Sequence, residues 1–149
     1  MLELIRTDAE QPEFIELVIL LDNELAIKDG EDHAFYDQFN KLHDIHFVLL
    51  AKKDGKAVGC GAIKAFNASM MEVKRMYVLP EERGQRIAAA ILEELEKWAK
   101  EQGHSSCILE TGINQPEAIR LYERCGYERM ENYGQYEGVE TSFCFKKRV

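Results

Sequence analysis

Val78-Leu79-Pro80-Glu81-Glu82-Arg83-Gly84-Gln85-Arg86-Ile87-Ala88-Ala89 is the stretch on which the fold turns. An apolar strand ends at Pro80, a short loop follows, and a long amphipathic helix begins. From Gln85 to Gln102 the residues Ile87, Ile91, Leu92, Leu95, Trp98 and Ala99 fall on one stripe at helical spacing. Glu93 with Lys97 and Glu96 with Lys100 support the outer face, and Gly103 closes the helix. The first amides of such a helix have no intrahelical partners, so they can hold a phosphate, and the helix dipole adds to the attraction. Gly84 and Ala88 keep Cβ bulk away from an approaching anion, while Arg83 and Arg86 bring positive charge. Many helices begin after Gly and Arg for structural reasons alone, so by itself the stretch leaves both readings open.

Working outward, Met70 to Leu79 reads as a strand preceded by an Asn67-Ala68-Ser69 turn. Phe47–Lys53 and Ala57–Phe66 form a hairpin about Asp54-Gly55. Leu2–Arg6 is a first strand, Asp8 a helix N-cap, and Phe14, Leu17, Val18, Leu21 and Leu25 a helical stripe that Gly30 ends. His33–Leu42 reads as a weaker second helix carrying Phe35, Tyr36 and Phe39. Downstream come a strand over Ser106–Thr111, a helix over Gln115–Cys125 ended by Gly126, and strands over Tyr127–Asn132 and Val139–Lys147. No repeat or linker interrupts the 149 residues, so one α/β domain over 1–149 is expected, with about seven strands and four helices.

Composition narrows the function. Hydrophobic residues are 46% and charged residues 31%, and the formal net charge is -8. That balance speaks against duplex nucleic acid or an anionic membrane as partner, since both attract basic surfaces. Cys60, Cys107, Cys125 and Cys144 form no CxxC pair, and no His is spaced to complete a zinc site, so reduced thiols and no metal are expected. The acidic N-terminal residues do not resemble a secretion signal, and no apolar run approaches the roughly 20 residues of a membrane span. A soluble, cytoplasmic protein is the expectation.

A second stretch carries the rest: Asn114-Gln115-Pro116-Glu117-Ala118-Ile119-Arg120-Leu121-Tyr122-Glu123-Arg124-Cys125-Gly126-Tyr127. Ala118, Leu121 and Tyr122 share a helix face, and Asn114 stands where a capping side chain belongs. On spacing alone Tyr122 is a core tyrosine with a satisfied hydroxyl. Together the two stretches change the odds. Arg83-x-x-Arg86-x-Ala88 after Tyr77-Val78-x-Pro80 resembles the acetyl-CoA signature of the GNAT superfamily of N-acetyltransferases, and Asn114 to Tyr127 resembles the motif that follows it there. The order of elements is similar too, so the resemblance implies the GNAT fold, with a mixed, mostly antiparallel sheet. One departure is Arg86, where the superfamily often has Gly; only the backbone amide is needed, and basic residues occur there. The tail, Glu131 to Tyr136, resembles a subgroup of small bacterial acetyltransferases whose acceptors are mostly unassigned.

The resemblance implies acetyl-CoA as co-substrate. Met76 and Val78, with Tyr77 between them, would take its acyl and pantetheine portions on a splayed strand. The amides of Arg83, Gly84, Gln85, Arg86, Ile87, Ala88 and Ala89 would hold the pyrophosphate. Asn114 would contact the pantetheine arm, and Tyr122 would protonate the departing sulfur. The amine attacks the thioester directly, so no Ser or Cys nucleophile is required. Only about one alkylamine in a thousand is neutral at pH 7.4, so a base or a water chain must take a proton. Glu72 stands where some members keep a glutamate base; a solvent-exposed strand Glu is the equal alternative.

The acceptor is expected to be a small amine that also bears a carboxylate, gripped by Arg75 with Tyr133 and Tyr136 closing over it. The competing expectation is that Lys74 and Arg75 pair with neighbouring acids, and a polyamine or protein amine remains a rival acceptor. A non-catalytic acyl-CoA-binding or regulatory domain is the alternative class. A nucleotide-phosphate binder would need a Walker lysine, which is missing after this loop. Homodimers are common in the superfamily, but nothing in the residues requires one.

Overall fold

The computed structural model describes residues 1–30 and 44–149, so the helix expected over His33–Leu42 lies outside the described residues. Asp54 and Gly55 both take positive φ, 51° and 82°, a turn geometry that matches the twist of the strands it joins. Around it β2 (Phe47–Lys53) and β3 (Lys56–Ala65) pair antiparallel. β1 (Leu2–Thr7) adds to the free side of β2, and β4 (Met70–Val78) to the free side of β3, both antiparallel. β5 (Ser106–Gly112) then runs parallel to β4, and β7 (Ser142–Arg148) inserts between β5 and the short β6 (Glu128–Met130). The result is one seven-stranded sheet, β1-β2-β3-β4-β5-β7-β6, with three α-helices among the described residues.

α1 (Pro12–Asp29) covers one face, burying Phe14, Leu17, Val18 and Leu21. Its cap is Gln11, whose side chain accepts from the Glu13 amide, and not the expected Asp8. Asp8 instead turns the chain ahead of the helix by accepting from the Glu10 amide at 2.9 Å. α2 (Ile87–Glu101) covers the opposite face with Ile91, Leu92 and Leu95 fully buried. It approaches closely because β3 offers Gly61: a Cβ there would lie 2.9 Å from both Ile91 Cγ2 and Leu95 Cδ1. α3 (Pro116–Arg124) presents Tyr122 to the sheet, against Tyr127 and Phe145.

Two features of β4 open the sheet. Cys60 pairs with Tyr77 and Ala62 with Lys74, so Gly61 faces both Arg75 and Met76. Arg75 is the residue that bulges, at φ 58°, a left-handed conformation that costs a non-glycine residue on the order of 1 kcal/mol or more. The parallel ladder to β5 spans only Met70–Glu72 against Ser106–Ile108. Beyond Glu72 the two strands part.

Candidate active site

The parting is flanked by two cavities. The wider, about 630 Å³, lies between the start of α2 and the end of α3. Val78, Arg83, Gly84, Arg86, Ile87, Ala88 and Ala89 line it from one side, and Leu121, Arg124 and Cys125 from the other. The helix starts two residues later than the apolar stripe suggests, because Arg86 takes φ 63° at the cap and Gly84 takes φ 85° before it. Two left-handed residues on either side of Gln85 give a sharp turn immediately before the helix, whose first amides lack intrahelical partners. Among the described residues nothing lies within 4 Å of where a Gly84 Cβ would stand.

Side chains of this loop divide. Arg83 is engaged by the protein itself: Nε donates to the Val78 carbonyl, a terminal nitrogen donates to Glu24 at 2.8 Å, and the guanidinium lies 5.5 Å from the Tyr77 ring centre. The positive charge expected from Arg83 is thus neutralised by α1. Gln85 accepts from Lys53 and donates to Glu82, leaving its backbone amide for the loop. Arg124, which sequence reasoning passed over, supplies the cation that Arg83 does not.

The narrower cleft, about 130 Å³, opens where β4 leaves β5. Met76 lines it while Val78, two residues on, lines the wider cavity, so β4 runs from one to the other. Tyr122 also lines the cleft. It is 7% exposed, and its hydroxyl has no hydrogen-bond partner among the described residues. Burial pushes its phenol up, with the nearby Glu110 charge adding to the effect.

Glu72 is buried, not solvent-exposed. Tyr133 donates to one of its oxygens at 2.7 Å, and the Lys74 ammonium stands 3.8 Å from the other. Burial pushes the Lys74 ammonium down, against the pull of Glu72. Tyr133 packs edge-on against Phe66 and Tyr136, and both tyrosines are buried. They form a small core with Ile108 and Cys144, so neither stands free over the cleft. Tyr136 alone of the two lines the cleft.

Arg75 is held by an ion pair with Asp22 of α1, its side chain 1% exposed. The expected free carboxylate clamp is therefore occupied by a neighbouring acid. Its Nε–H remains buried without a partner among the described residues. Asn114 is exposed in the turn before α3 and lines neither cavity. The cap position belongs to Gln115, which makes no side-chain capping bond but lines the cleft.

Glu110 is the residue the sequence reading missed. It faces the cleft from β5 and accepts from Ser142 Oγ at 2.7 Å. Burial pushes its carboxyl up to about 7; the Ser142 hydrogen bond opposes this, Asp29 and Glu72 add to it, and Lys74 opposes it. A signal existed: Cys107-Ile108-Leu109-Glu110 places one acid in an otherwise buried apolar run. All four cysteines are free, and burial raises each thiol, Cys60 and Cys107 to about 12, which works against a thiolate nucleophile at neutral pH.

No described helix is long and apolar enough to cross a membrane. The acetyltransferase (GNAT) family model matches residues 8–127. A protein of Azospirillum brasilense named IAA acetyltransferase is 42% identical over 105 residues, covering 70% of this chain and 68% of its own. A Klebsiella pneumoniae structure, provisionally described as an acyl-CoA N-acyltransferase, superposes with TM-score 0.83 at 29% identity, over 100% of this chain and 98% of its own. A GNAT acetyltransferase of Elizabethkingia anophelis, solved with acetyl-CoA bound, shares the fold at TM-score 0.73 and 17% identity, over 99% and 98% of the two chains. The chain belongs to the GNAT acetyltransferase family and is an acetyltransferase enzyme.

Proposed function

We propose that the protein moves an acetyl group from acetyl-CoA directly to the amine of a small molecule, as a single catalytic domain over 1–149. The observation that carries this is the pair of cavities along Met76–Val78, one cationic at a helix start and one acidic where the sheet opens. The pyrophosphate fits the first: it lies at the start of α2, where the first helical amides lack intrahelical partners, and Arg86 and Arg124 border it. Acetyl-CoA then runs along β4, bringing its thioester to Met76, whose amide meets the tetrahedral oxyanion.

Proton traffic follows from the acidic cleft. Glu110 takes a proton from the acceptor ammonium, and the freed amine attacks the thioester carbonyl. The intermediate collapses by breaking the carbon–sulfur bond: Tyr122 gives its proton to the sulfur, and the second proton of the attacking nitrogen passes through solvent to the Tyr122 oxygen, leaving free CoA thiol, a neutral amide and a restored phenol. Glu72, the base suggested by resemblance, has its two oxygens turned to Tyr133 and Lys74, which favours Glu110 for the role. An acceptor that also carries a carboxylate would have to win Arg75 from Asp22, because that guanidinium is buried and paired.

The test is release of CoA thiol from acetyl-CoA on mixing with single amines, amino acids being paired with their amides and polyamines included. Turnover with at least one amine is expected, and a preference for the acid over its amide would show that a ligand carboxylate can displace Asp22 from Arg75. Tight acetyl-CoA binding with no thiol released by any amine would establish the non-catalytic alternative.

A further inference from the structure

The cleft holds more buried acid than one proton transfer needs. Asp29 is the last residue of α1 and is buried, at the helix end where the backbone dipole disfavours a carboxylate. Its Oδ1 lies 3.6 Å from where a Cβ on Gly112 would stand, against the end of β5. Glu72 stands on β4 opposite Ile108 at the last rung of the parallel ladder. Glu110 is two residues beyond Ile108, and strand alternation puts it on the same face. Asp29 from the helix and Glu72 from the neighbouring strand therefore line the same cleft as Glu110. Burying carboxylates beside a carboxylate is costly, and apolar residues would fill these positions more stably.

We infer that Asp29 and Glu72 are positioning residues that act through Glu110, their negative charge raising its hold on the proton it takes from the acceptor. This rests on the reading of Glu110 as proton acceptor. The other groups facing Glu110 do not supply that charge. Lys74 on β4 opposes it, and Arg75 is held by Asp22. Tyr122 from α3 and Tyr136 from the turn before β7 keep their protons, since burial pushes both phenols up. On β7, burial pushes the Cys144 thiol up to about 11, and Ser142 donates to Glu110, favouring its ionised form. Burial is the largest cause of the rise at Glu110, and after the opposing Ser142 bond Asp29 and Glu72 are the charges that add to it.

The arrangement also gives the cycle a direction. A protonated acceptor is drawn to a cleft with excess negative charge, and its ammonium beside Glu110 favours the carboxylate that must receive the proton. Acetylation removes the positive charge, so the amide product loses that attraction and leaves.

The experiment is the pH dependence of kcat/KM for an amine substrate in the wild type and in D29N, E72Q, E110Q and Y133F. The wild type should lose activity below about pH 7. D29N and E72Q should each move that acid limb down by about half a pH unit or more. Their alkaline plateau should fall only by a factor of about two to five, as a weaker base would give. D29E should restore the limb. Y133F removes a hydrogen bond to Glu72 without removing its charge, so it should leave the limb in place. Each asparagine or glutamine replacement is isosteric, and either decides the matter if the other fails to fold. An unmoved limb in the folded variants, with E110Q abolishing it, overturns this inference alone. A limb that persists in E110Q overturns the base assignment itself, and activity lost at every pH in E72Q returns the proton to Glu72.

Discussion

Replacing Glu110 by glutamine should make the protein more stable and less active at once. The ordinary value of this carboxyl is 4.5, and its place in the cleft carries it to about 7. At about 1.4 kcal/mol per pH unit, keeping it ionised costs the fold on the order of 3 kcal/mol. The folded state holds the proton more tightly than the unfolded chain, so the stability this group contributes is fully present below about pH 4.5 and is lost as pH rises to about 7. Glutamine has no proton to lose, and its carbonyl can still accept from Ser142 Oγ. At pH 8 the variant should therefore be more stable by about 2–3 kcal/mol, a rise of roughly 4–10 °C in Tm. Toward pH 4.5 the difference should close. Urea unfolding followed by circular dichroism at pH 5 and pH 8 measures both. The catalytic arm runs the other way: the rate at pH 7.4 should fall by about 10²–10⁴ and recover toward alkaline pH, where the amine loses its own proton. Parallel stability profiles for the two proteins would refute the claim that Glu110 carries a costly buried charge, and an unchanged rate at pH 7.4 would refute its role as base.

Two further substitutions address the cofactor side. Gly84→Val puts a β-branched residue at φ 85° in the turn before α2, so acetyl-CoA affinity by calorimetry should fall at least about tenfold, equivalent to about 1.4 kcal/mol; an unaltered Kd in the folded variant removes the loop from the cofactor site. Tyr122→Phe should leave acetyl-CoA binding intact while the single-turnover rate drops by about 10²–10⁴, and a wild-type rate would make Tyr122 a packing residue.

Much of the fold was legible because local rules dictate it. The stripe from Ile87 to Ala99, the Asp54-Gly55 turn and the stop at Pro80 each act within a few residues, and each expected element among the described residues formed. Where boundaries moved, a local alternative won. Arg86 delays α2 by taking a left-handed cap, and Gln11 outcompetes Asp8 because Asp8 is used in the turn before the helix. The last strands shortened because Tyr133 and Tyr136 turn inward between them and fill the space under Ile108.

The site was legible only in its cofactor half, and the reason is geometric. A phosphate cradle is one contiguous loop, so its glycine, its arginines and its helix start appear together in the chain. An acceptor cleft gathers residues that the chain keeps apart: Asp29 from a helix, Glu72 and Arg75 from β4, Glu110 from β5, Tyr136 from a turn. What brings them together is the bulge at Arg75 and the ladder that ends at Glu72, and neither has a motif. The sequence marks Lys74-Arg75 as adjacent cations, yet the bulge sends Arg75 to Asp22, 53 residues away, and leaves Lys74 beside Glu72. Two positive charges that looked available to a ligand are thereby drawn into the protein's own ion pairs. Burial in the cleft that results, reinforced by Asp29 and Glu72 against the pull of the Ser142 hydrogen bond and Lys74, is the condition under which a carboxylate on β5 can hold a proton near neutral pH.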